Sequence, residues 1–229
     1  LQRYEEREGV KVYVAGCEYA RDLIAPPAAM RDGAIFLRMD AVRRHLWNKY
    51  EEWANTERDS ALGRAFAAYG FDGDLDRALD RMAESEAEAM ILHEVGEARA
   101  EKLLGDDWAT MLGALNKKHA ELLARAVRDH LADCLVTLPT LLEREAHGAL
   151  HFYVANLSGL RRALFPALGT AYADWLAGDA ASLAAAARAG AEHWATHAHG
   201  LVALWRADPA NADTALHQLA TTGLDRISL

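Results

Sequence analysis

The sequence predicts an all-α fold, a bundle of about seven to nine helices in one compact domain over residues 1–229. Three observations predict it. The chain has 48 Ala against 9 Val and 4 Ile, which favours helix over strand nearly everywhere. Apolar residues recur at helical spacing through most of its length. A composition of 52% hydrophobic and 26% charged residues is that of a globular chain.

Residues 1–9 are polar and read as a frayed end. Val10 to Ile24 reads as a first helix, although Val10 to Val14 alternates as a short strand would. Pro26-Pro27 ends that element, because neither residue donates a backbone hydrogen bond. Ile35 to Ala54 follows as an amphipathic helix with Met39, Val42, Leu46, Tyr50 and Trp53 on one face. Asp59 to Tyr69 is another, stopped by Gly70. Asp72 to Leu104 is the strongest helical pattern, closed by Gly105. Asp106-Asp107 opens a short helix to Leu115, placing acids at the positive end of the helix dipole. Lys118 to about Glu145 is expected to kink before Pro139. Ala149 to Phe165 stops at Pro166, then Ala167 to Ala177 and Ala180 to Arg206 complete the packed part. Asp208-Pro209 opens a last helix. The one candidate subdivision falls near 139–149.

Formal net charge is -9 and the pI about 5.6. So acidic a chain repels phosphate backbones, and the expectation is no nucleic-acid partner. No apolar stretch approaches the roughly 20 residues of a membrane span, so no membrane is expected either. Cys17 and Cys134 form no Cys-x-x-Cys pair and read as reduced thiols of a cytoplasmic protein. The first residues, Leu-Gln-Arg-Tyr-Glu-Glu, are too charged for a secretory leader's apolar core.

The functional signal is polar residues where a core should be. Along the helix from Asp72, residues Leu75, Leu79, Met82, Glu86, Met90, His93, Glu97, Ala100 and Leu104 fall within roughly 40° of one direction at 100° per step. The stripe is apolar at both ends and polar in its middle. Ionised carboxylates at core positions are costly unless paired, and a cation among Glu86, His93 and Glu97 would pair them. A second helix offers His130 and Asp133 on adjacent turns, with Lys117, Glu121, Arg125 and Arg128 marking its opposite, solvated face. A third offers His193 and His197, four residues apart. The competing explanation is a core network with Arg43, Arg44, Arg161 or Arg162, which accounts for the acids but not the histidines.

His93-x3-Glu97, His130-x2-Asp133 and His193-x3-His197 are the kind of pieces hemerythrin-like bundles use. Glu86-x6-His93 followed by Glu97 resembles the first ligand helix of haem-oxygenase-like di-metal oxidases, which are all-helical and about this size. Ile91-Leu92-His93-Glu94-Val95-Gly96 resembles the core motif of HD-type phosphohydrolases, with Glu94 where that family has Asp.

The expected function is therefore a metal-binding helical bundle with ligands among Glu86, His93, Glu97, His130, Asp133, His193 and His197. The ion is a transition metal, iron first, with manganese or zinc fitting the same donors. A mono- or di-iron oxidase-like enzyme acting on a small molecule is the leading version, and a homo-oligomer is compatible with it. The alternatives are an HD-like phosphohydrolase and a non-catalytic interaction module, the latter supported by the lack of a nucleophile constellation.

Overall fold

The computed structural model describes residues 1–17, 19, 26–54 and 59–229. It begins with four strands, β1 (Arg3–Arg7), β2 (Val10–Ala15), β3 (Ala28–Arg31) and β4 (Ala34–Arg38). Helices follow: α1 (Met39–Ala54), α2 (Ala61–Tyr69), α3 (Leu75–Leu104), α4 (Asp106–Ala114) and α5 (Lys118–Ala132). A π turn over Asp133–Thr137 leads into α6 (Leu138–Glu143) and α7 (His147–Asn156). Then come α8 (Gly159–Leu164), α9 (Pro166–Leu176), α10 (Ser182–Ala207) and α11 (Pro209–Thr222).

The all-α expectation is thereby corrected. Of the described residues 73% are helical, but 9% lie in a four-stranded mixed sheet of order β1-β2-β4-β3. Two antiparallel hairpins, β1–β2 and β3–β4, are joined by parallel pairing of β2 with β4. Each hairpin closes on two residues of positive φ, Glu8-Gly9 and Asp32-Gly33, which is what a tight two-residue turn demands. Val12, Val14, Ile35 and Leu37 fill the buried face. Residues 1–9 are thus a strand and its turn rather than a frayed end. The proposed first helix is β2 over Val10–Ala15, and its later part, residues 18 and 20–24, lies outside the described residues. The helix expected from Ile35 starts only at Met39, because residues 34–38 pair in the sheet.

The chain divides into two compact units, residues 1–95 with 140–156, and residues 96–139 with 157–229. In the first, Tyr50, Trp53, Phe66 and Phe71 make an aromatic cluster. Gly70, in the left-handed region at φ 79°, donates its N–H back into α2 and ends it. α2 packs on α7, and a Cβ at Gly148 would sit 2.7 Å from the Tyr69 ring. Glu88 on α3 is clasped by Arg7 of β1 at 2.5 Å and by Arg144 at 2.7 Å.

In the second unit α5 packs on α10 and α11, and α9 packs on α10. Trp108, Leu123, Leu131, Phe165 and Trp194 are fully buried there. The expected kink at Pro139 takes the form of the π turn. The Leu138 N–H reaches back five residues to the Asp133 carbonyl, widening the helix just before a residue that can donate no hydrogen bond. The apolar stretch from Ala149 to Phe165 is not one helix: it breaks at Leu157-Ser158 between α7 and α8.

No helix among the described residues is long and apolar enough to cross a membrane.

Candidate metal centre

The C-terminal turns of α3 and the last turns of α5 cross closely because Gly96 has no side chain. A Cβ there would lie 2.5 Å from the Ala132 carbonyl oxygen. That approach sets Glu97 against Arg128, whose guanidinium donates to Glu97 Oε1 at 2.5 Å and to Asp129 Oδ1 at 3.1 Å. Glu101 joins at 3.6 Å. Burial works against the Arg128 charge, but Glu97, Asp129 and Glu101 together raise its pKa. Arg128 is thus buried, not on the solvated face where the sequence pattern puts it.

Glu97 and Asp129 bring carboxylate oxygens within 4.8 Å of one another, and His93, one turn before Glu97 on α3, brings a ring nitrogen equally near Glu97. All three side chains are half-buried. The sequence pattern does not point to Asp129, because it lies off the stripe of His130 and Asp133. Its signal is adjacency to Arg128, an arginine whose position on α5 turns out to be interior.

The other sequence-chosen residues occupy different surroundings. Glu86, in the first unit, is 4% exposed. Tyr69 O–H donates to Ser85 Oγ at 2.8 Å and lies 3.4 Å from Glu86 Oε1. Burial pushes the Glu86 carboxyl well above its usual range, with the Tyr69 hydrogen bond opposing.

His130 is completely buried. Its Nε2 lies 2.9 Å from the Arg161 carbonyl oxygen, an acceptor only, so Nε2 carries the hydrogen and donates. The ring stacks on Trp194 at 4.9 Å and meets Phe165 edge-on at 5.4 Å. Burial, then the Arg161 charge, lower its pKa to about 4 against the opposing pull of Asp133. Asp133 is held by the Arg161 guanidinium and by Thr137 Oγ1 at 3.0 Å. Arg161 is one of the arginines of the competing network, and here it takes the Asp133 carboxylate.

His193 Nε2 donates to the Ile227 carbonyl at 2.8 Å, and its ring is 4.4 Å from that of His197 and 4.5 Å from Trp194. Burial first, then His193, lower the His197 pKa. Trp194 therefore has His130 on one side of its contacts and His193 on another, so the structure gathers these two histidines around one indole.

The fold is a mixed four-stranded sheet followed by a helical array, in which Glu97 and Asp129 close on a buried arginine. The chain belongs to a family of unknown function, DUF6866. The C-terminal domain of that family matches residues 43–223 and its N-terminal domain residues 1–38, which is the sheet. No curated protein and no solved structure matches the chain.

Proposed function

We propose that this is a metal-binding protein whose ion is held by His93 and Glu97 on one turn of α3 together with Asp129. The observation that carries the reading is Glu97, with a carboxylate oxygen of Asp129 within 4.8 Å of its own and the His93 imidazole one turn before it on α3, all half-buried. Such a mixed set suits iron, manganese or zinc. Three protein ligands with positions left for water or a small-molecule substrate is the pattern of a site that does chemistry. A single ion fits better than a pair, since burial disfavours the charged form of Glu86 and Asp133 is engaged by Arg161. Cys17 and Cys134 are both unpaired, which supports a cytoplasmic setting.

Arg128 favours a second reading. Its guanidinium already supplies positive charge to Glu97 and Asp129, as a purely structural network in a non-catalytic module would require. The two readings separate by titration. Calorimetry with Fe²⁺, Mn²⁺ and Zn²⁺ on chelator-treated protein should give one site per chain, lost in His93→Ala and Asp129→Ala. Elemental analysis of protein expressed with those metals should agree. Absence of metal in both experiments would leave the arginine network as the whole role of these residues.

A further inference from the structure

The outward face of the sheet carries a row of aromatic rings in register. Tyr4 on β1 pairs with Tyr13 on β2, Tyr13 with Phe36 on β4, and Phe36 with Ala29 on β3. Tyr4 and Tyr13 lie 5.1 Å apart, and Tyr13 and Phe36 are stacked at 5.2 Å with planes 14° apart. The end rings are the open ones: Tyr4 is 51% and Phe36 36% exposed. Beyond Tyr4 the sheet ends, and beyond Phe36 the row drops to the methyl group of Ala29. Each end ring therefore has a face that its aromatic neighbour does not cover.

Cations flank this row on both sides. One side has Lys11 and Arg31, both exposed and both registered with Ala34. The other has Arg38, registered with Ala15, half-buried and with one arm of its guanidinium donating to the Pro26 carbonyl at 2.8 Å. Glu6 is the acid on the same face, opposite Lys11. Residues 1–38 hold six basic and six acidic residues, so the whole of the -9 belongs to the rest of the chain. The net charge that argued against nucleic acid thus does not describe this face.

We propose that the outward face of the sheet binds single-stranded nucleic acid. Bases stack on the open faces of Tyr4 and Phe36, with Tyr13 as the spacer that holds both rings upright. Phosphates are met by Lys11 and Arg31 on one side and by Arg38 on the other. Both halves of the ligand are needed to explain the face, since an acidic peptide would use the cations but not the rings. The alanines at 15, 29 and 34 keep the floor low, so the rings stand above it.

The test is fluorescence anisotropy of the whole chain with fluorescein-labelled uridine and thymidine decamers at low salt. Binding should weaken with a log–log salt slope of about -2, as three cationic contacts to a single strand require. Tyr4→Ala and Phe36→Ala should each weaken it about tenfold, read on variants whose circular dichroism shows them folded, since each also loses its ring contact with Tyr13. Lys11→Glu with Arg31→Glu should abolish it, and gives a second variant should an aromatic one fail to fold. No binding by the wild type overturns the proposal. So does undiminished binding by folded Tyr4→Ala and Phe36→Ala, or equal competition by a DNA duplex or a polyglutamate peptide, which would reduce the face to bare charge. His93→Ala should bind the decamers as the wild type does, so this outcome is independent of the metal site.

Discussion

Gly96→Ala is expected to destabilise the protein, although helix propensity alone says the opposite. In an exposed helix interior, replacing Gly by Ala stabilises by about 1 kcal/mol. At Gly96 the added Cβ would stand 2.5 Å from the Ala132 carbonyl oxygen and 3.0 Å from its carbon. The obstacle is backbone, which cannot swing aside as a side chain can. Relief requires α3 and α5 to separate by most of an ångström, and overpacking of this kind costs about 1–3 kcal/mol or more. After the propensity gain the net loss is up to about 2 kcal/mol, which lowers the melting temperature by up to roughly 8 °C for a chain of this length. The internal control is Gly200→Ala, in α10, where nothing lies within 4 Å of the added Cβ. That variant should gain about 1 kcal/mol. Thermal and urea unfolding of wild type and both variants measure the signs directly. If Gly96→Ala is stabilised as much as Gly200→Ala, the close crossing of α3 and α5 is not real, and the placement of Glu97 against Arg128 goes with it.

Arg128→Met should destabilise by about 2 kcal/mol, because it leaves the half-buried Glu97 and Asp129 without their cation; a divalent metal should restore much of that loss if the donors bind one, measured as melting temperature with and without Zn²⁺. Glu86→Gln should raise stability at pH 7 and leave it nearly unchanged near pH 4. A raised folded pKa gives stability that is full below the unfolded value and lost as pH rises, and equal melting curves at pH 7 would count against a raised Glu86 pKa. His130 works in the other direction, its folded pKa being about 4 against about 6.5 unfolded. The stability from keeping it neutral is complete above about pH 6.5 and is lost progressively as pH falls towards 4, about 3 kcal/mol in all. His130→Gln should flatten that part of the pH–stability curve.

Much of the helical part is legible from local chemistry. Gly70, Gly105, Pro166 and Asp208-Pro209 all mark ends that the structure keeps. The sheet is not legible from composition, since it occupies a small part of an Ala-rich chain whose average hides it. Its signals are local: alternation from Val10 to Val14, and Asp32-Gly33 between two apolar runs, a strong two-residue hairpin signal. Away from the candidate site, helical angles correctly bury Glu86, His130 and Asp133. Angles say nothing of which helix lies opposite, and the partners of these side chains were therefore out of reach. Arg128 shows the same limit from the other side, an arginine taken for a surface residue because its counter-ions lie on a distant stretch of chain.

The π turn over Asp133–Thr137 makes chain length here a structural variable. It stores one residue beyond the α-helical count, so a single deletion within it would restore ordinary winding at no cost in backbone hydrogen bonds. Everything downstream in α6 would then keep its present facing, because the wide turn is what absorbs the extra residue. Leu138 and Leu141, now buried, would stay inside, whereas the same deletion in a regular stretch of helix would turn them by about 100°. Family members one residue shorter at this point should therefore keep the hydrophobic phase of α6, and an aligned set of sequences would show the gap confined to the turn.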